Sequence, residues 1–262
     1  MTLCIVQAAC SYIIHSFHAG QPLKQINEKC SIYSKQMKEL KKQQTYFCTL
    51  VFWQTVSYLL GSGSQETFSK DLAEVNLDDE TVVILCMHSF RMGMFVVSGD
   101  YEKAAELFVR HGFAWPREAR FQPAFMTAVC NGGFAASVVA GSSRKFKKVA
   151  TKARALVKRW AAKGNSNVKH WGALLDAEGN LFQGRRRKAE QNYQSAIALS
   201  ERGGYTQNCA LAHERYGTFL LVDSSDTRDA AFHLSKAIEL YSQWGAARKV
   251  EEMHRNYSSV LE

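Results

Sequence analysis

Residues 184–196 read GRRRKAEQNYQSA and residues 99–108 read GDYEKAAELF, two copies of one frame, G-x-x-x-K-A-x-x-x-[FY]. Its fixed positions are Gly184, Lys188, Ala189 and Tyr193 in one copy and Gly99, Lys103, Ala104 and Phe108 in the other. Ala196 follows Ala189 by seven residues, and Ala237 follows Ala230 by the same step, with Tyr193 and Leu234 at matching places between them. A glycine ends the first helix of a pair, and a small residue early in the second lets the two backbones approach. A large side chain four residues on fills the groove between them, and a further alanine admits the next pair. Ala177, one helix upstream of Gly184, and the Trp244-Gly245 step belong to the same packing set.

These positions follow the tetratricopeptide (TPR) pattern. Elsewhere, apolar residues recur at helical rather than alternating spacing, and Gly or Ser-Gly breaks fall at 19–20, 61–64, 98–99, 111–112, 141–143, 164–166, 183–184, 203–204 and 223–226. The pattern predicts helices at roughly 2–19, 22–42, 43–61, 65–74, 79–98, 100–111, 117–140, 143–163, 167–183, 185–203, 206–223 and 226–244, with a short closing helix near 246–258. No stretch reads as a sheet.

The expected fold is all-α, a right-handed TPR-like α-solenoid of about six helix pairs in a single array over 1–262. It divides into weakly patterned N-terminal pairs at 1–75, middle pairs at 79–163 and the best-matched repeats at 167–258, closed by the helix carrying Val250 and Met253. First helices are expected to line a concave groove, with Leu174, Glu178, Phe182, Glu214 and Tyr216 near it.

Residues 167–257 also resemble a particular family. The runs Leu174-Leu175-Asp-Ala177-Glu-Gly-Asn-Leu181-Phe-Gln-Gly184, Tyr193-Gln-Ser-Ala196-Ile197-Ala-Leu199 and Ala210-Leu-Ala-His-Glu214-Arg-Tyr216 are similar to the helical-repeat segment of very large multidomain signalling ATPases. So is the ending Ala237-Ile238-Glu-Leu-Tyr241-Ser-Gln-Trp244-Gly245-Ala246-Ala-Arg-Lys249-Val250, whose W-G-A-x-x-K-V is the most specific mark. In that family a kinase-like domain and an AAA- or STAND-type ATPase precede the array, and a GAF, histidine-kinase or cyclase output module follows it. The resemblance implies a regulatory relay that binds a protein, a peptide or a neighbouring domain. This chain carries no G-x-x-x-x-G-K-[ST] loop, since Gly61-Ser-Gly63-Ser lacks the lysine and Gly141-Ser-Ser-Arg144-Lys145 lacks the spacing. It has no H-R-D or D-F-G set either, so no catalytic residue and no cofactor is expected in it.

Hydrophobic residues at 46% and aromatic residues at 11% exclude a disordered chain. The net charge of +9 is concentrated in one place: Arg144, Lys145, Lys147, Lys148, Lys152, Arg154, Lys158, Arg159 and Lys163 lie in a stretch with no Asp or Glu. Removing these nine leaves 24 Lys and Arg against 24 Asp and Glu. Phe146, Val149, Ala153, Leu156, Val157 and Trp160 form one apolar face of that helix, and the cations take the remaining surface.

A second run, Arg185, Arg186, Arg187 and Lys188, sits at a helix start, where cations oppose the dipole at a cost of a few tenths of a kcal/mol each. The two runs are expected to form one convex ridge. Lys145, Lys148, Lys152, Arg159 and Arg185 to Lys188 are its candidate partner-binding residues, and the bland alternative is a solvated face that keeps a repeat protein soluble. An acidic protein partner fits the ridge better than nucleic acid, because Phe146 and Trp160 belong to the packing side and leave no aromatic among the cations to stack bases. An anionic membrane surface or a calmodulin-like contact is the remaining reading of such a helix.

Seven widely spaced cysteines without C-x-x-C read as small buried hydrophobes in a reducing, cytoplasmic setting. The first twenty residues carry no Lys or Arg and open in mid-pattern, as a fragment or truncated gene model would. The uncharged run from Phe121 to Ser143 contains Gln122, Asn131, Gly132 and Gly133 and reads as a close-packed helix, not a membrane span. His15 with His18, and His88 with Arg91, share helix faces without a carboxylate or cysteine to complete a metal site or triad. Glu74 and Asp78 to Glu80 are expected to serve a helix start. The function classes left are a non-catalytic interaction or regulatory scaffold, a binder of nucleic acid or anionic surfaces through 144–163 and 185–188, and a helical hydrolase or transferase with a dispersed site.

Overall fold

The computed structural model describes residues 2–41, 43–63, 81–117, 120, 123–223 and 227–261. Among them are twelve α-helices, one short 3-10 turn at Ser166–Val168, and no strand. The helices are α1 (Thr2–His18), α2 (Leu23–Glu39), α3 (Gln43–Leu59), α4 (Thr81–Val97), α5 (Tyr101–His111) and α6 (Pro123–Val138). They continue as α7 (Arg144–Ala162), α8 (Lys169–Phe182), α9 (Arg186–Gly203), α10 (Thr206–Asp223), α11 (Thr227–Trp244) and α12 (Ala247–Leu261). The all-α expectation holds. The helix expected at 65–74, the carboxylates Glu74 and Asp78 to Glu80, and the positions Phe121 and Gln122 lie outside the described residues.

Local chemistry sets the boundaries. Ser143 accepts the Lys145 backbone N–H at 3.2 Å and caps α7, whose Phe146, Ala150, Ala153 and Val157 then fall on one buried stripe. Gly99, Gly184 and Gly245 each take positive φ at a helix end. At Gly245 (φ 94°) the chain turns so that the Ala246 N–H reaches the Tyr241 carbonyl at 2.9 Å, closing α11.

Consecutive helices pair as α4 with α5, α6 with α7, α8 with α9 and α10 with α11, and each second helix also packs on the first helix of the next pair. Contacts of α4 with α6, α6 with α8 and α5 with α7 bind one pair to the next. Ala104, Phe108, Ala177, Ala189, Tyr193, Ala196, Ala230, Leu234, Ala237 and Trp244 are all buried in the core that results. The helix that carries most of the long uncharged run, α6, lies within that core as well. α6 places Gly132 under the Phe108 ring and Gly133 against α7, so close that a Cβ on Gly133 would stand 2.4 Å from that of Ala153. Gly133→Val should therefore force α6 and α7 apart and cost about 1–3 kcal/mol, read as a lower urea midpoint at unchanged slope; an unaltered midpoint would show that the two helices can separate freely.

The two ends of the chain meet. Gln207 on α10 donates through Nε2 to the carbonyls of Phe17 (3.1 Å) and His18 (2.9 Å) at the end of α1. The Phe17 and Trp244 rings lie 5.2 Å apart, and Arg248 donates to the Gly63 carbonyl at 3.2 Å with its guanidinium over the Tyr58 ring. The N-terminal helices thus return to the C-terminal ones, and the inner faces of α1, α4, α6, α8 and α10 enclose a common space.

This closure corrects one expectation. Leu174, Glu178, Glu214 and Tyr216 do not border an open groove, since all four are buried. Tyr101 from α5 and Lys249 from α12 cover that inner face. Phe182 alone of the five is exposed, and it lies on the outside of α8 beside Lys147.

Candidate functional site

Three places carry chemistry: a cationic outer face, a buried ion network and the central cavity. On the outer face, α7 buries Phe146, Ala153 and Val157 and half-buries Val149, Leu156 and Trp160, which leaves Lys145, Lys148, Lys152 and Arg159 exposed. Asp176 on α8 neutralises part of the surplus by pairing with Arg154 and with Lys158 at 3.0 Å. Lys152 lies 3.9 Å from the centre of the Phe113 ring and Lys147 5.2 Å from that of Phe182, contacts of cation–π type.

Arg185, Arg186, Arg187 and Lys188 are exposed at the start of α9, where the Arg185 side chain makes no capping bond. Phe182, three residues earlier, ties that turn to the N-terminal half of α7 through Lys147. An exposed aromatic therefore does stand among the cations. The sequence reading missed it because Phe182 belongs to α8, not to the basic helix.

Inside, two carboxylates are buried with partners drawn from several helices. Glu178 takes a bidentate pair from Arg215 (2.8 and 3.1 Å) and the Tyr193 hydroxyl proton (2.9 Å). Glu214 takes Lys249 (2.8 Å) and the Tyr241 hydroxyl (3.0 Å), and Lys249 also reaches Glu252 at 3.0 Å. The Arg215 guanidinium stands 5.3 Å from the centre of the Tyr101 ring. Burial alone would lower the Lys249 ammonium, but Glu214 outweighs it and holds the group above its ordinary value. Burial first, and then Glu178, pushes the Tyr193 phenol well up, so it stays a donor. Every member of this cluster bonds another member, as burial of charge requires.

The central cavity has a volume of about 640 Å³. Its floor holds buried Phe52, Leu211 and Trp244, and its rim holds exposed His15, Arg120 and Asn167. Arg120 is fixed by donating to the Trp115 carbonyl at 3.1 Å. His18 bonds Thr127 at 3.2 Å, His170 bonds Asn208 at 2.9 Å, and His170 stacks on Tyr205 with ring centres 4.4 Å apart. Burial pushes both imidazoles down to about 4, so they are neutral at pH 7. Two buried polar atoms on residues lining the cavity have no hydrogen-bond partner: Gln207 Oε1 and Trp244 Nε1. An orphan of this kind costs about 1–3 kcal/mol, and native structures hold few of them.

Elsewhere, His88 stacks on His111 with ring centres 4.0 Å apart, and Cys10, Cys30, Cys86, Cys130 and Cys209 are free thiols. Burial pushes Cys30 and Cys86 up to about 12, which removes them as nucleophiles near neutral pH. Among the described residues no group of three or more His, Cys, Asp and Glu could hold a metal ion, and no helix is long and apolar enough to cross a membrane. Comparison with protein-family models, with curated proteins and with solved structures finds no match to this chain.

Proposed function

We propose that this chain is a non-catalytic protein-interaction and regulatory scaffold, a TPR-like α-solenoid that serves as part or relative of a multidomain signalling ATPase or kinase. The resemblance of 167–257 to the repeat arrays of such proteins and the alternation of helix pairs support this reading. The observation that carries it is the basic outer face. Of nine cations on 144–163, described carboxylates pair only Arg154 and Lys158, and both share Asp176. The remaining charge presents a surface suited to an acidic protein or a neighbouring acidic domain.

The expected result is that reversing Lys145, Lys148 and Arg159 to Glu weakens binding of the acidic partner by about 10–100-fold while leaving the melting curve in place. Partners retained at full affinity by that variant would reduce the face to a solubilising one. The exposed Phe182 beside Lys147 gives a second reading, binding of a single-stranded nucleic acid by phosphate contacts and stacking. That reading requires affinity for a single-stranded probe to fall steeply between about 50 and 200 mM salt and to drop again with Phe182→Ala.

A further inference from the structure

We propose that the central cavity is a binding site for an uncharged, flat, mainly apolar small molecule with a hydrogen-bond acceptor for Trp244 and a donor for Gln207. A volume of about 640 Å³ lies in the range of small-molecule sites. The walls are aromatic, with Phe52, Phe90, Trp160 and Trp171 on four different helices. Among the described residues no carboxylate lines the cavity, and the one permanent cation among them, Arg120, is on the exposed rim. An ion would therefore find no counter-charge at depth, whereas a planar ring system meets flat apolar faces on several sides.

The polar groups at depth point to the rest of the ligand. Trp244 is 1% exposed and Gln207 7%, yet Trp244 Nε1 and Gln207 Oε1 are unpaired, the first able only to donate and the second only to accept. The neighbouring polar groups of the wall are already engaged, Thr127 with His18 and Asn208 with His170. A ligand of this class completes the unmet bonds and fills the aromatic space together. This site is independent of the basic face, so either proposal can fail without the other.

Gly93 on the α4 wall gives a clean test. A Cβ there meets only the Asn131 amide, at 3.5 Å and 3.9 Å, so Gly93→Phe can place a ring in the cavity without displacing backbone. The probe is Nile red, a neutral planar heteroaromatic dye, titrated against the full chain at pH 7. Blue-shifted emission should saturate at one dye per chain, and Gly93→Phe should weaken it about tenfold or more with no loss of melting temperature. Competition with 9-fluorenone and with fluorene, which differ by one carbonyl acceptor, should favour the ketone by about fivefold or more. Equal dye binding by wild type and Gly93→Phe, or equal competition by ketone and hydrocarbon, overturns the assignment. So does a wild-type chain that refuses all three molecules and instead takes unstructured decapeptides in a Gly93→Phe-sensitive way, since the cavity would then be a peptide groove.

Discussion

Replacing Lys249 by methionine should destabilise the fold by about 3–5 kcal/mol, because it leaves the Glu214 carboxylate buried with only the Tyr241 hydroxyl for compensation. For a chain of this size that is a drop of roughly 6–20 °C in melting temperature. Glu214→Gln is expected to cost markedly less, since Lys249 keeps Glu252 at 3.0 Å and Gln still accepts from Tyr241. Urea unfolding of the two variants measures both points. Equal losses in the two variants would mean that Glu252 does not share the Lys249 charge.

The second large effect is one of pH. His18, His88, His170 and His213 are each pushed down to about 4, with burial the leading cause in every case. In the unfolded chain a histidine titrates near 6.5. Between these values the unfolded state binds more protons than the folded one, so stability is full above about pH 6.5 and falls as the pH drops toward 4. Four such sites acting together give a slope of up to roughly 5 kcal/mol per pH unit. A typical stability of about 5–15 kcal/mol does not survive that across the window. Circular dichroism should therefore show acid unfolding with a midpoint between about pH 4 and 6, above the range of ordinary carboxylates. Replacing His213, which sits 2.8 Å from His233 through the two Nδ1 atoms, by Gln should make the transition shallower by close to one proton. A native spectrum at pH 4 would contradict the account.

These two effects rest on groups whose role the sequence did not disclose. The helix pattern was legible because its signals are local: apolar residues repeat every three or four positions, and glycines such as Gly99, Gly184 and Gly245 stop the chain where positive φ is needed. The amphipathic character of α7 was legible for the same reason. The burial of Glu178, Arg215, Glu214 and Lys249 was not, because a charged residue on a helix face reads as solvated until it is known what covers that face. Glu178 and Arg215 are 37 residues apart in sequence, and their cover, Tyr101, lies further off still. The expected groove fell on these same residues. Its position failed because the pattern of a helix pair says nothing about whether the first and last pairs touch.

The cavity was invisible for a related reason. Its wall joins α1 to α10 through bonds that span 189 and 190 residues, from Gln207 to His18 and Phe17. No periodicity within one helix reports a contact over that distance. A neutral histidine also looks the same in sequence as a charged one. Only burial, as at His170 against Tyr205, removes the proton and makes the space uncharged.

The meeting of the ends bears on how the molecule comes apart. A linear stack of helix pairs can lose its outermost pair while the rest stands, since each unit leans only on its neighbours. Here Gln207 holds the end of α1, and Arg248 holds the turn after α3 at Gly63, so the outermost pairs support one another. Freeing either end should open the wall of the central space and strip both neighbours at once. The chain is expected to come apart less like a stack that frays than like a hoop, which keeps its circumference until it is cut.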